Sequence, residues 1–302
     1  MEHAPYQIVY SPLYEVDIGA HVFLTSKFRL IRERLIKTYG FSERDFIEAP
    51  PASDEDILLV HKPEYLQKLR ENRLSATEIL RLEIPPSPGL FKASVICVGG
   101  TILGAKIALE QGVGVHLGGG FHHAFPGHGE GFCVFNDPAC AIKRLQKDGL
   151  IKRALIIDCD LHHGNGTAYI FRDDPNVFTF SIHQQNNYPG IKPPSDLDIG
   201  LDDGTGDEEY LAKLSDTIPN IIQRFKPDFI MYVAGADPYQ DDKLGGLSLT
   251  MEGLKERDRR VFAWARRQNI PVSMVLAGGY AQRFEDTIAI QTTTVLEALG
   301  NI

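Results

Sequence analysis

Five short runs of aliphatic and β-branched residues, at 113–117, 154–158, 177–181, 229–234 and 272–277, constrain this chain more than any other feature. Most of their residues are apolar, and largely continuous apolar character is what a strand needs when both faces of its sheet are covered. The stretches between them carry apolar residues at helical spacing, most clearly at 139–145, 210–225 and 254–267. Strands that alternate with helices assemble into a parallel sheet with helices on both faces. The expected fold is therefore α/β, a three-layer sandwich around a central, mostly parallel sheet.

The first hundred residues add expected helices at 25–39 and 61–72 and a proline-rich surface loop at 84–89, and a closing helix is expected at 284–299. No internal repeat or low-complexity tract divides the 302 residues, so a single domain over 1–302 is expected. The 40 acidic and 31 basic residues give a formal charge of -9. That is the wrong sign for gripping phosphates, and no nucleic-acid partner is expected. Cys97, Cys133, Cys140 and Cys159 show no CxxC spacing, and two of them sit in apolar runs, as reduced structural thiols do. The N-terminus has no basic segment leading into an apolar one, and no stretch reaches the roughly 18 apolar residues of a spanning helix. A cytoplasmic protein with no membrane partner is expected.

In open parallel sheets ligands bind beyond the carboxyl ends of the strands. Each of the five runs is followed there by polar or glycine residues: Gly118-Gly119-Gly120-Phe121-His122-His123, then Asp158-Cys159-Asp160-Leu161-His162-His163-Gly164-Asn165, then Ser181-Ile182-His183, Gly235-Ala236-Asp237 and Gly278-Gly279-Tyr280. Surface polarity alone would scatter such residues over both ends of the sheet. Asp160 and His162, two apart, can point the same way, and Asp237 can join them from another strand end. Three protein ligands leave a fourth position for water, the pattern of a catalytic zinc site. The same spacing also suits a hydrogen-bonded loop without metal. His122 and His123 on a glycine shelf suit proton transfer if a partner holds the second nitrogen of each imidazole, and Asp158 and Asn165 are the candidates. Tyr280 can donate to an oxyanion or simply pack.

The segments GGGFHH, GFCVFND, DCDLHHGNGT, SIH, AGADP, LGGLSLT and LAGGYA, in that order, resemble the histone deacetylase and acetylpolyamine amidohydrolase superfamily from about Tyr10 to Leu299, most of all its small class IV deacetylases and their bacterial relatives. The resemblance implies the arginase/deacetylase fold and hydrolysis of the amide bond of an acyl-lysine or another acylated amine. It implies that Asp160, His162 and Asp237 bind zinc, that His123 is general base and then acid, that His122 assists electrostatically, and that Tyr280 polarises the scissile carbonyl. It further implies a potassium ion held by Asp158, Asp160, the His162 carbonyl, Ser181 and the Ile182 carbonyl. Phe132, Tyr188 and Gly131 would line a narrow acyl-lysine channel.

Departures from the family pattern matter. Class I members carry a carboxylate where this chain has Asn165, so His123 is expected to lose a charged partner. Their acidic rim residue has no Asp counterpart at 85–91, which leaves Glu83 as the candidate. Tyr188 stands where many relatives have Phe, adding a hydroxyl to the channel wall that would favour a polar or differently shaped acyl group. Other readings fit less well. There is no GxGxxG for a dinucleotide, 196–202 reads as a solvated acidic loop and not a calcium loop, and the DxHxD of the two-manganese arginases is missing. A non-catalytic binding module would be expected to have lost a metal ligand or Tyr280. His116 reads as core, His128 as a loop residue near the pocket, and His163 and His183 as local hydrogen-bond partners. Without room for the dimer-forming insertion of the acetylpolyamine enzymes, a monomer is expected.

Overall fold

A computed structural model describes residues 6–300. Its strands are β1 (Ile8–Tyr10), β2 (Phe46–Glu48), β3 (Val113–His116), β4 (Ala154–Asp158), β5 (Val177–Gln184), β6 (Leu197–Leu201), β7 (Phe229–Val233) and β8 (Val272–Val275). They form one eight-stranded sheet in the order β2-β1-β3-β8-β7-β4-β5-β6. Every neighbouring pair is parallel, so the sheet is parallel throughout. The five expected strands are β3, β4, β5, β7 and β8. All residues of β4, β7 and β8 are buried, which is why their sequences are continuously apolar.

The α-helices among the described residues are α1 (Lys27–Tyr39), α2 (Asp54–Leu58), α3 (Pro63–Arg70), α4 (Ala76–Leu82), α5 (Pro88–Gln111), α6 (Asp137–Lys147), α7 (Asn165–Phe171), α8 (Asp207–Phe225), α9 (Met251–Gln268) and α10 (Phe284–Leu299). One layer contains α1, α8, α9 and α10, and the other contains α2, α3, α5, α6 and α7. With the sheet between them they make the three-layer α/β sandwich.

Three expectations are corrected. The loop at 84–89 ends early, because Ser87 caps Leu90 N at 3.0 Å and Pro88 starts α5. That helix is long and apolar enough to cross a membrane, contrary to the expectation that no stretch is, but 72% of its apolar window is buried inside the protein. Being apolar all round, it belongs to the core, and Gly99 lets it lie where a Cβ would collide with the Pro50 carbonyl. The acidic stretch 196–202 is not a solvated loop either. Its centre is the edge strand β6, Asp196 accepts from Thr179 N at 2.8 Å, and Asp198 pairs with His163 at 3.1 Å.

The connection from β3 to β4 skips β8 and β7, so the sheet order switches over its centre. The crevice that such a switch opens lies beyond the carboxyl ends of these strands. Beneath it, Arg257 of α9 is fully buried, pairs with Asp258 at 2.8 Å, and donates from Nη1 to the carbonyls of Gly235 (2.7 Å) and Cys159 (3.2 Å). Asp258 also accepts from Tyr232 and Thr294. Arg257→Ala should cost about 3–5 kcal/mol, because it leaves a buried carboxylate without its cation. Urea denaturation checks this, and an unchanged midpoint would contradict it.

Candidate active site

The loop after β3 is shaped by its glycines and by a buried acid. Gly119 and Gly120 have φ of 75° and 86°, a region open to glycine and strained for other residues. A Cβ on Gly120 would also sit 2.6 Å from the Ala277 Cβ of the loop after β8. Asp137, at the start of α6, accepts from Gly120 N (3.1 Å), Phe121 N (2.9 Å) and the Thr101 hydroxyl (2.6 Å). His116 donates to Thr101 (3.0 Å) and accepts from the Tyr14 hydroxyl (2.7 Å). It is a core histidine, as expected, and burial lowers its pKa to about 3. Asp137, His116 and Cys97 lie close enough to resemble a metal site, but the Asp137 carboxylate is already satisfied by these donors.

The two histidines of this loop meet different partners. His122 Nδ1 lies 2.7 Å from Asp158 Oδ2, and His123 Nδ1 lies 2.7 Å from Asn165 Oδ1. Their Nε2 atoms are 3.1 Å apart. Burial disfavours charge on both, yet Asp158 and Asp160 more than offset it at His122 and raise its pKa to about 9. At His123 burial is reinforced by the positive charges of His122 and His162, which hold it well below the usual range. The two neighbouring imidazoles are thus pushed in opposite directions.

Asp160 and His162 on the loop after β4 converge with Asp237 beyond β7. One donor atom from each lies within 4.8 Å of the others, and His162 Nδ1 is 3.1 Å from Asp160 Oδ1 and 3.3 Å from Asp237 Oδ2. Backbone donors hold the carboxylates from behind: Gly278 N reaches Asp160 Oδ2 at 2.8 Å, and Leu161 N reaches Asp237 Oδ1 at 2.9 Å. Asp237 Oδ2 is buried and has no hydrogen-bond partner. A buried carboxylate oxygen left free beside two other donors fits a divalent cation. The residues present thus fit the metal that the donor set implies.

Tyr280, after β8, is half-buried, and its backbone N–H is held by Asp242 Oδ2 at 2.7 Å. Its ring meets Phe132 edge-on at 6.0 Å, and Tyr188 meets His123 edge-on at 5.0 Å. Phe132 has φ 68° and is held by the end of α4 through Phe132 N to Leu82 O at 3.0 Å. With Gly131, Glu83, Asn187, Leu244, His123 and His162, these rings enclose a cavity of about 180 Å³. A larger groove of about 660 Å³ opens between α8 and α9 but holds none of the candidate residues.

The structure places Asp158 and Ser181 opposite each other on β4 and β5, with Ile182 next in β5 and all three buried. The Ser181 hydroxyl lies 2.9 Å from His183 Nδ1, and both Asp158 oxygens have partners, His122 and Asp160 N. His128 lies beside the cavity wall, with Nε2 3.3 Å from Glu130 Oε2. Four polar residues at the site escaped the sequence reading. They are Asp137, Asp242, Glu130 behind Asn165, and Lys27, which is buried with Nζ 2.6 Å from Ala277 O. Burial lowers the Lys27 amine to about 8. An acid isolated between two glycines, as in Gly129-Glu130-Gly131, was a signal available for one of them.

A family model described as "Histone deacetylase domain" matches residues 21–297. The chain is 41% identical over 285 residues to an uncharacterised protein of Picosynechococcus, covering 94% of this chain and 95% of that one. It is 33% identical to "Histone deacetylase 2" of Arabidopsis thaliana, covering 93% and 76%. It is 32% identical to the acetoin utilization protein AcuC of Bacillus subtilis, covering 83% and 71%.

If Asp160, His162 and Asp237 hold a divalent ion, binding should stabilise the fold by about 2.7 kcal/mol at a hundredfold excess over Kd. Thermal unfolding with and without chelator should show that gain in the native chain and lose it in Asp237→Asn. An equal shift in both would place the ion elsewhere.

Proposed function

Because the chain belongs to the histone deacetylase family, we propose that this hydrolytic deacetylase cleaves the amide bond of an Nε-acyl-lysine with zinc held by Asp160, His162 and Asp237. The observation that carries the reading is the partnerless Asp237 Oδ2, turned with Asp160 towards His162 at the floor of an aromatic cavity. Zinc bound there would supply Lewis-acid polarisation of the amide carbonyl and acidify the attacking water.

The chain's own residues account for the rest. With Nδ1 engaged by Asn165, His123 would use Nε2, which lies 3.1 Å from His122 Nε2, to take a proton from water and then deliver it to the leaving amine. His122, tied to Asp158, supplies positive charge beside the developing oxyanion. The Tyr280 hydroxyl, at the cavity wall, donates to that oxyanion. Phe132, Tyr188 and Gly131 exclude water from the aliphatic stem of the acylated side chain. The potassium ion is placed at Asp158, Asp160, the His162 carbonyl, Ser181 and the Ile182 carbonyl; support for it is the family resemblance and the burial of these residues side by side. The reading takes the chain as one catalytic domain working as a cytoplasmic monomer, in keeping with four buried free thiols. Glu83 in the cavity wall favours, as a second reading, a cationic acylated amine such as an acetylpolyamine.

The test is zinc content together with amine release from acetyl-lysine, long-chain acyl-lysine and acetylpolyamine substrates, with and without a hydroxamate chelator. Hydroxamate-sensitive turnover is expected, and stoichiometric zinc with no turnover on any of them would count against the reading. Tyr280→Phe should lower kcat on the order of 10² to 10³-fold, as loss of one oxyanion donor does, with zinc content unchanged. Full activity in that variant would remove Tyr280 from the mechanism.

A further inference from the structure

The hydrogen bonds of His123 do not end at Asn165. Asn165 Nδ2 donates to Glu130 Oε1 at 2.6 Å. The other Glu130 oxygen lies 3.3 Å from His128 Nε2, and the Tyr188 hydroxyl is near enough to help lower the pKa of this carboxylate. Burial would favour the neutral acid here, but these three neighbours hold Glu130 below the usual carboxylate range. The crowding is possible because Gly131 follows: a Cβ there would lie 2.9 Å from both His123 Cδ2 and the Tyr188 hydroxyl.

The direction of every bond in this line is dictated by chemistry. A carboxylate only accepts, so Asn165 must turn its NH2 towards Glu130. Its amide oxygen then faces His123, and because that oxygen also only accepts, His123 Nδ1 must carry the hydrogen. Nε2, on the cavity side, is left with its lone pair. At the opposite end Asp158 imposes Nδ1–H on His122 in the same way. With the charge removed from Glu130, the Asn165 amide loses the acceptor that sets its orientation, and the tautomer of His123 is no longer fixed from that side.

We propose that Glu130 is the positioning residue of His123: acting through Asn165, it fixes the imidazole tautomer and supplies, one residue removed, a carboxylate in line with the base. The inference rests on the reading of His123 as the general base. The direct partner of His123 is the neutral Asn165 amide, as expected, and the nearest carboxylate in that line sits on Glu130, behind the amide.

A swap of the two functional groups tests this. Glu130→Ala should lower kcat by about 10–100-fold, the usual loss when the partner that orients an active histidine is removed, with KM within about threefold of the starting protein. Asn165→Asp alone sets two carboxylates face to face and should also lower kcat. Combining it with Glu130→Gln lets the introduced glutamine donate to the introduced carboxylate, which accepts from His123 Nδ1–H. The double variant should therefore exceed Asn165→Asp alone by at least about tenfold in kcat. All variants are compared at equal zinc content and thermal midpoint. Unchanged kcat in Glu130→Ala, or a double variant no faster than Asn165→Asp, overturns the inference. His123→Ala separates the two levels: if it is inactive while the swap fails, only the role of Glu130 falls, and if it is active, the assignment of His123 falls first and this inference with it.

Discussion

The arrangement depends on four buried carboxylates, Asp158, Asp160, Asp237 and Asp242, gathered at the ends of adjacent strands. Burying such charges is costly unless each oxygen finds a donor or a cation. Most of the surrounding architecture supplies those partners. Backbone N–H groups from Leu161, Gly278, Leu244 and Tyr280 take the outward oxygens. His122 supplies positive charge, and buried Lys27 adds more from α1. What is left uncompensated is concentrated at Asp237, whose inner oxygen has no hydrogen-bond donor and whose pKa is pushed up by burial and by the charge of Asp160. Among these four carboxylates Asp237 alone has an oxygen without a hydrogen-bond partner, and that point is where a cation fits.

The parallel sheet explains why this concentration is achieved so economically. All strands run in one direction, so their carboxyl ends lie on one edge, and each contributes a loop whose first residues are still held by the ladder. Cys159 N, for example, bonds to Val233 O at 3.0 Å, and Ala277 N to Gly119 O at 3.1 Å. Pairing therefore continues past the strands into the loops that carry Asp160, His122 and Tyr280. A site built this way is rigid in its backbone, and the adjustable features are side-chain tautomers and amide orientation.

The central strands were legible because burial on both faces writes itself as a largely apolar run, and the candidate metal and proton-transfer residues were legible because they follow those runs directly. Other elements were not. β1 and β2 have three residues each, too few for any pattern to emerge. β6 carries Asp198 and Gly200 at an edge, so it reads as a loop. α5 is long but apolar on every side and interrupted by glycines, so it has no amphipathic period to betray it. Asp137 and Asp242 were missed because each holds backbone in a segment far along the chain, 16 and 38 positions away, and hydrogen bonds of that kind leave no local spacing.

Glu130 shows the same limit from the chemical side. Reading Asn165 as the loss of a carboxylate treats each position as if it acted alone, whereas a primary amide is both acceptor and donor and can transmit the requirement of a carboxylate behind it. A direct carboxylate would put full charge against the imidazole and raise its basicity strongly. An intervening amide keeps the direction of the hydrogen bond but moves the charge farther from the ring. The arrangement here separates orientation from basicity: the amide can orient His123 while burial and the neighbouring imidazoles keep its pKa low. In a site already crowded with carboxylates, placing the last one behind an amide satisfies the base without adding another like charge next to Asp158 and Asp160.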